Sequence, residues 1–138
     1  MLIPNEGLLL WLLWAFDDSG VSEEDFVLDL YANNFTPSYS STGADFTIAS
    51  FPGYSQVSLA RTSFAYPTAT GGVGTIVSSI SPTWSCTGGS GQTVYGWLMR
   101  GASSGKVLGT QAFPSPPVMT SGISVTLGAM TWQMGQFS

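Results

Sequence analysis

The chain has 138 residues, enough for one ordinary domain; 43% are hydrophobic and only 8% are charged. A typical soluble chain carries about 25% charged residues, so Ser, Thr, Gly, Asn and Gln must keep this surface wet. The net charge is −5 with three scattered bases, Arg61, Arg100 and Lys106, which excludes a nucleic-acid binder that neutralises phosphates with several Lys or Arg.

The N-terminal segment, residues 1–20, is read as apolar and helical. The run at 8–16 (LLLWLLWAF) is leucine-rich, which favours helix. Asn5 is a candidate N-cap, Glu6 suits the positive end of the helix dipole, and Asp17-Asp18-Ser19-Gly20 is a stop and turn. The run has about half the length needed to span a bilayer. No Lys or Arg precedes it and two acids follow it, so it is read as mature structure, neither targeting signal nor membrane span. A helix apolar on nearly every face is normally buried all round, under a sheet or against another subunit. A fully buried strand is the alternative that periodicity does not separate.

From residue 26 the period changes to two. Phe26, Leu28 and Leu30 share one face of a predicted strand. Turns follow at Asn33-Asn34-Phe35-Thr36-Pro37 and Phe51-Pro52-Gly53-Tyr54. Val57 and Leu59 point inward from the next alternating stretch. Strands are predicted over 75–80 and 83–86, with a turn at Gly71-Gly72. The stretch 62–74 is the most loop-like. The clearest strand is 93–99 (TVYGWLM), where Tyr95 and Trp97, two apart, share a face. A Gly/Ser turn at 101–105 makes a hairpin with 106–113. The stretches 123–127 and 130–134 form a last pair. Eight or nine short strands at this spacing predict a mainly β chain: a jelly-roll-like antiparallel β-sandwich with one short N-terminal helix, a single domain over 1–138.

The chain is poorly equipped for chemistry. It has no histidine, and every acid lies at or before Asp45. General acid–base or nucleophilic catalysis needs a base beside the reacting group; Lys106, the nearest candidate, sits in a Ser/Gly turn with Ser103 and Ser104. Glu23, Glu24 and Asp25 offer the oxygens that calcium takes, but no EF-hand loop surrounds them, and a solvated turn is the plainer reading. The one cysteine, Cys86, reads as a small buried hydrophobe. The aromatics Trp84, Tyr95 and Trp97 read as core or interface before sugar platform. No catalytic residue, cofactor or metal is expected.

Several stretches resemble a family of small tailed-bacteriophage proteins of about this length. They are Ile3-Pro4-Asn5-Glu6-Gly7, residues 28–37 (LDLYANNFTP), residues 44–54 (ADFTIASFPGY) and Thr93-Val94-Tyr95-Gly96-Trp97, with Lys106-Val107-Leu108 after the turn. The pattern in that family usually has a charge inside the opening helix, which is absent here. The resemblance implies a virion structural role: a capsid cement or decoration protein on the outer capsid surface, clamping subunits of the major capsid protein, as a homotrimer. The alternative is a receptor- or glycan-binding jelly-roll module of a tail or fibre. Leu8, Trp11 and Trp14, with Phe35 and Tyr39 in loops, are the expected association surfaces.

Overall fold

The computed structural model describes residues 1–16, 23–65, 68–70 and 73–134. The stop expected at 17–20 and the turn at 71–72 lie outside them. The chain is mainly β, with antiparallel sheets and one short N-terminal helix, as its periodicity predicts. Helix α1 (Asn5–Phe16) is followed by β1 (Phe26–Tyr31), β2 (Val57–Leu59), β3 (Thr68–Thr70), β4 (Val73–Val77), β5 (Thr83–Ser85) and β6 (Gln92–Thr93). Then come β7 (Gly96–Gly101), β8 (Val107–Ala112), β9 (Val118–Met119), β10 (Ser124–Thr126) and β11 (Thr131–Met134).

The largest sheet has the order β2-β1-β7-β8. The hairpin β7–β8 forms as expected, with a bulge between Met99 and Arg100. One face of this sheet carries Phe26, Leu28 and Leu30 beside Trp97 and Met99. These pack in one contiguous core against Trp84 of β5, Val125 of β10, Met119 of β9 and Met130. That face-to-face packing of antiparallel layers is sandwich architecture. The opposite face is also covered. Tyr31, Leu98 and Val107 pack there with Phe46, and Phe35, Ile48 and Tyr95 border them. A strand covered on both faces buries successive residues: Leu28, Leu30 and Tyr31 are buried here, and so is the charged Asp29 between them.

Three expectations are corrected. The stretch 93–99 is not one strand. Gln92 and Thr93 pair with β9, and the chain then crosses into the main sheet, where β7 begins at Gly96. Gly96 sits where a Cβ would lie 2.3 Å from the Gln111 carbonyl oxygen and 2.5 Å from the Tyr31 hydroxyl, so only glycine fits the crossing. Because Tyr95 precedes the strand, it joins the cluster around Tyr31 while Trp97 joins the main core. The final two stretches do not pair with each other: β10 pairs with β5, and β11 pairs with β4. Nor is the 62–74 region all loop, because β3 pairs with β4 within it.

Candidate functional site

Helix α1 lies across the edge of the main sheet. Leu2 and Thr110 exchange backbone hydrogen bonds of 2.8 and 2.9 Å, extending the sheet by one bridge beyond β8. The helix begins at Asn5, so the cap position falls on Pro4, whose carbonyl accepts the Gly7 and Leu8 amides at 3.0 Å. Glu6 lies in the first turn of the helix, as expected, and its carboxylate turns to the sheet. Its Oε1 accepts the Val107 amide of β8 at 2.7 Å. A Cβ on Gly7 would lie 2.2 Å from the Val107 carbonyl oxygen and 2.8 Å from the Leu108 Cα. Glycine is what lets the helix rest directly on the strand's backbone.

This placement divides the helix by its 3.6-residue period. Gly7, Leu10, Trp11 and Trp14 face inward. Leu10 is buried, and the two indoles meet edge to face at 5.3 Å, each about 6 Å from the Phe26 ring. Leu9 and Leu12 point outward and are 59% and 43% exposed, flanked by half-exposed Leu8 and Leu13. The helix expected to be buried all round is therefore covered on one side. It sits at a sheet edge, with a layer beneath it and, among the described residues, nothing over Leu9. Leaving the two leucines partly in water forgoes roughly half of the ~1.5–3 kcal/mol that complete burial of each would contribute.

Of the expected association residues, Leu8 flanks this outer stripe, whereas Trp11 and Trp14 pack into the molecule. Phe35 packs edge-on against Phe46 at 5.2 Å. Tyr39 is 68% exposed, and its carbonyl accepts the Asn5 amide at 2.8 Å, which sets its loop against the first turn of α1. Leu9 and Leu12 were not singled out in the sequence. Gly7 was the signal that would have found them, because the helical period places them opposite a residue needing close approach.

The acids at 23–25 line a groove of about 660 Å³ with Leu10, Leu13 and Lys106. Each is already engaged. Glu23 forms an ion pair with Arg61, and Asp25 Oδ1 accepts the Arg61 amide at 3.0 Å. Glu24 Oε2 accepts the Ser103 and Ser104 amides at 2.5 and 2.8 Å, fastening the chain before β1 to the β7–β8 turn. Partial burial raises the Glu24 carboxyl, but the Ser104 hydroxyl, these amides and Lys106 outweigh it and hold the group below its ordinary value. A depressed carboxylate contributes stability above the unfolded pKa and loses it as pH falls through the folded value. Glu24→Gln should therefore narrow the gap in melting temperature between neutral pH and acid below the ordinary carboxylate range. Thermal unfolding of both chains across that window measures it; equal pH profiles would refute this role.

Among the described residues the most deeply buried charge is Asp29, 1% exposed. Its carboxylate accepts hydrogen bonds from Tyr54 (2.8 Å), Gln56 (3.1 Å) and the Arg100 guanidinium (2.5 and 3.2 Å). The Tyr54 hydroxyl also accepts the Leu30 amide at 3.2 Å. Burial, then the hydrogen bond and charge of Asp29, push the Tyr54 phenol far above its ordinary value. Burial alone pushes Tyr31 up to about 12. This is a structural knot, with the carboxylate tied on every side and closed to a substrate. Cys86 is buried too, its Sγ 3.0 Å from the Gly88 carbonyl oxygen and 3.5 Å from that of Met119, either of which accepts its one S–H.

Among the described residues no group of three or more Asp, Glu or Cys is placed to hold a metal ion, and no helix is long and apolar enough to cross a membrane. No protein-family model matches the chain, and neither a curated protein nor a solved structure matches it.

Proposed function

We propose that this chain is a non-catalytic structural protein of a phage virion: a capsid cement or decoration protein with a jelly-roll-like sandwich. In this reading it sits on the outer capsid surface and clamps neighbouring subunits of the major capsid protein. The observation that carries it is a charge-poor β scaffold whose described acidic side chains are tied into the structure while an apolar helix face is left outside. Such a molecule is equipped to adhere and poorly equipped to react. Contacts with two or more lattice neighbours multiply through effective concentration, so weak individual contacts suffice. Outward pressure from packed DNA then has more contacts to break.

The alternative, a receptor- or glycan-binding module of a tail or fibre, draws less support. It needs exposed aromatic platforms, and Trp84 and Trp97 are both buried. Quantitative mass spectrometry of purified particles tests the proposal. A copy number comparable to that of the major capsid protein is expected. A few copies per particle would favour the tail or fibre module, and absence from the particle would overturn both readings. Docking through the neutral surface should also depend weakly on salt, since few charges are there to be screened.

A further inference from the structure

We infer that residues 23–25 form an acid-releasable strap: the Glu24 carboxylate holds it against the β7–β8 turn, and falling pH opens it there while the sheets stay folded. The switch belongs to the chain alone and is independent of any capsid.

Two unlike sets of bonds close the strap. Glu24 Oε2 accepts the Ser103 and Ser104 amides at 2.5 and 2.8 Å, so one oxygen satisfies two donors of the turn. One residue on, the Asp25 carbonyl accepts the Ala102 amide at 2.8 Å. The first set is strengthened by the carboxylate charge; the second is a backbone bond with no titrating atom. Protonation turns one carboxyl oxygen into a donor and removes the charge from both amide contacts. Opening therefore runs as far as Asp25 and stops there, just ahead of β1. Gly101 makes room for the contact, since a Cβ there would fall on Glu24 Oε1 and Ser104 Oγ.

The surrounding charges close the strap at neutral pH and loosen it in acid. Lys106 of the turn attracts Glu24 across the groove that both line. On the strap itself, Glu23 pairs with the Arg61 guanidinium and Asp25 Oδ1 accepts the Arg61 amide, both at the short turn Arg61–Ser63. From α1, Glu6 reaches the Val107 amide, next to Lys106. Partial burial works against the Glu24 charge, but the Ser104 hydroxyl, the two amides and Lys106 outweigh it. By linkage the clasp is intact above the unfolded pKa and is lost as pH falls through the folded one. The strap and the turn line the same groove as Leu10 and Leu13. Parting them widens it and gives water more of both leucines.

Amide hydrogen exchange of the full chain, followed by NMR from neutral pH to below the ordinary carboxylate range, tests this, with each rate taken relative to the intrinsic rate at that pH. The Ser103 and Ser104 amides should lose protection by about tenfold or more in acid, the scale set by a hydrogen bond to a charged group. The Ala102 and Tyr95 amides donate to the Asp25 and Tyr31 carbonyls and should keep theirs. Glu24→Gln, a neutral isostere, should bring the same loss at neutral pH and flatten its pH dependence. Gly101→Ala should do likewise without removing a charge, because the atoms in its way are side-chain ends that can swing aside. Protection at Ser103 and Ser104 that is indifferent to pH would overturn the inference. So would a loss shared equally by Ala102 and Tyr95, which is acid unfolding of the whole chain, or variants that keep the pH dependence of the unaltered chain.

Discussion

Replacing Asp29 by alanine should destabilise the fold by about 3–5 kcal/mol, the usual cost of removing one partner from a buried charge pair. The carboxylate neutralises Arg100, whose side chain is only 24% exposed, and satisfies Tyr54 and Gln56. Its loss leaves a half-buried guanidinium and the half-buried Tyr54 hydroxyl without their acceptor, and each buried unsatisfied group costs about 1–3 kcal/mol. Against a total stability of roughly 5–15 kcal/mol, this is the largest effect expected from a single polar substitution here. Urea unfolding measures it. A shift in midpoint equivalent to less than about 1 kcal/mol would mean that water replaces the carboxylate readily and that the knot is looser than described.

Gly7→Ala should also destabilise, against the sign that helix propensity predicts. Inside an ordinary helix, alanine in place of glycine gains about 1 kcal/mol. Here the added methyl would meet the backbone of β8, which has no flexible end to swing aside. The helix must lift, loosening the Trp11 and Trp14 packing against Phe26 and lengthening the Glu6–Val107 hydrogen bond. Overpacking of this kind costs about 1–3 kcal/mol. Denaturant unfolding gives the sign, and near-ultraviolet circular dichroism reports the two indoles. A stabilised variant with unchanged indole signals would show that α1 does not rest on β8 as closely as the geometry requires.

What was legible in the sequence follows the physics of neighbours. The inward face of β1 could be read because Phe26, Leu28 and Leu30 alternate, and alternation is local. The β7–β8 hairpin could be read because a short Gly/Ser turn joins its strands. The turn at Pro52-Gly53 was legible too: the Tyr54 amide returns to the Phe51 carbonyl at 2.9 Å. The failures within the sheets concern pairing at a distance. Nothing local distinguishes a strand at 93–99 from two half-strands in different sheets, because Val94 and Tyr95 suit either. The adjacency of β10 and β11 likewise says nothing of β5 and β4, their true partners. At the candidate site, a run of leucines and tryptophans tells of an apolar helix but not of which side meets the sheet. The period alone leaves that open; the Gly7 contact closes it.

The pairing of β1 has a consequence for how the molecule is made. Its neighbours are β2 and β7, and the Asp29–Arg100 contact between β1 and β7 closes over 71 residues. A strand buried on both faces thus emerges early and waits for a partner made much later. At ribosomal speeds of about 5–20 residues per second, that wait lasts roughly 4–14 s. Non-local closure of this kind also slows folding of the finished chain. Until β2 and then β7 arrive, FVLDLY is an apolar strand with unpaired edges, the kind of segment that aggregates. Asp29 lies at its centre. The residue that later knots the folded protein is also the single charge that keeps the nascent strand from being wholly apolar.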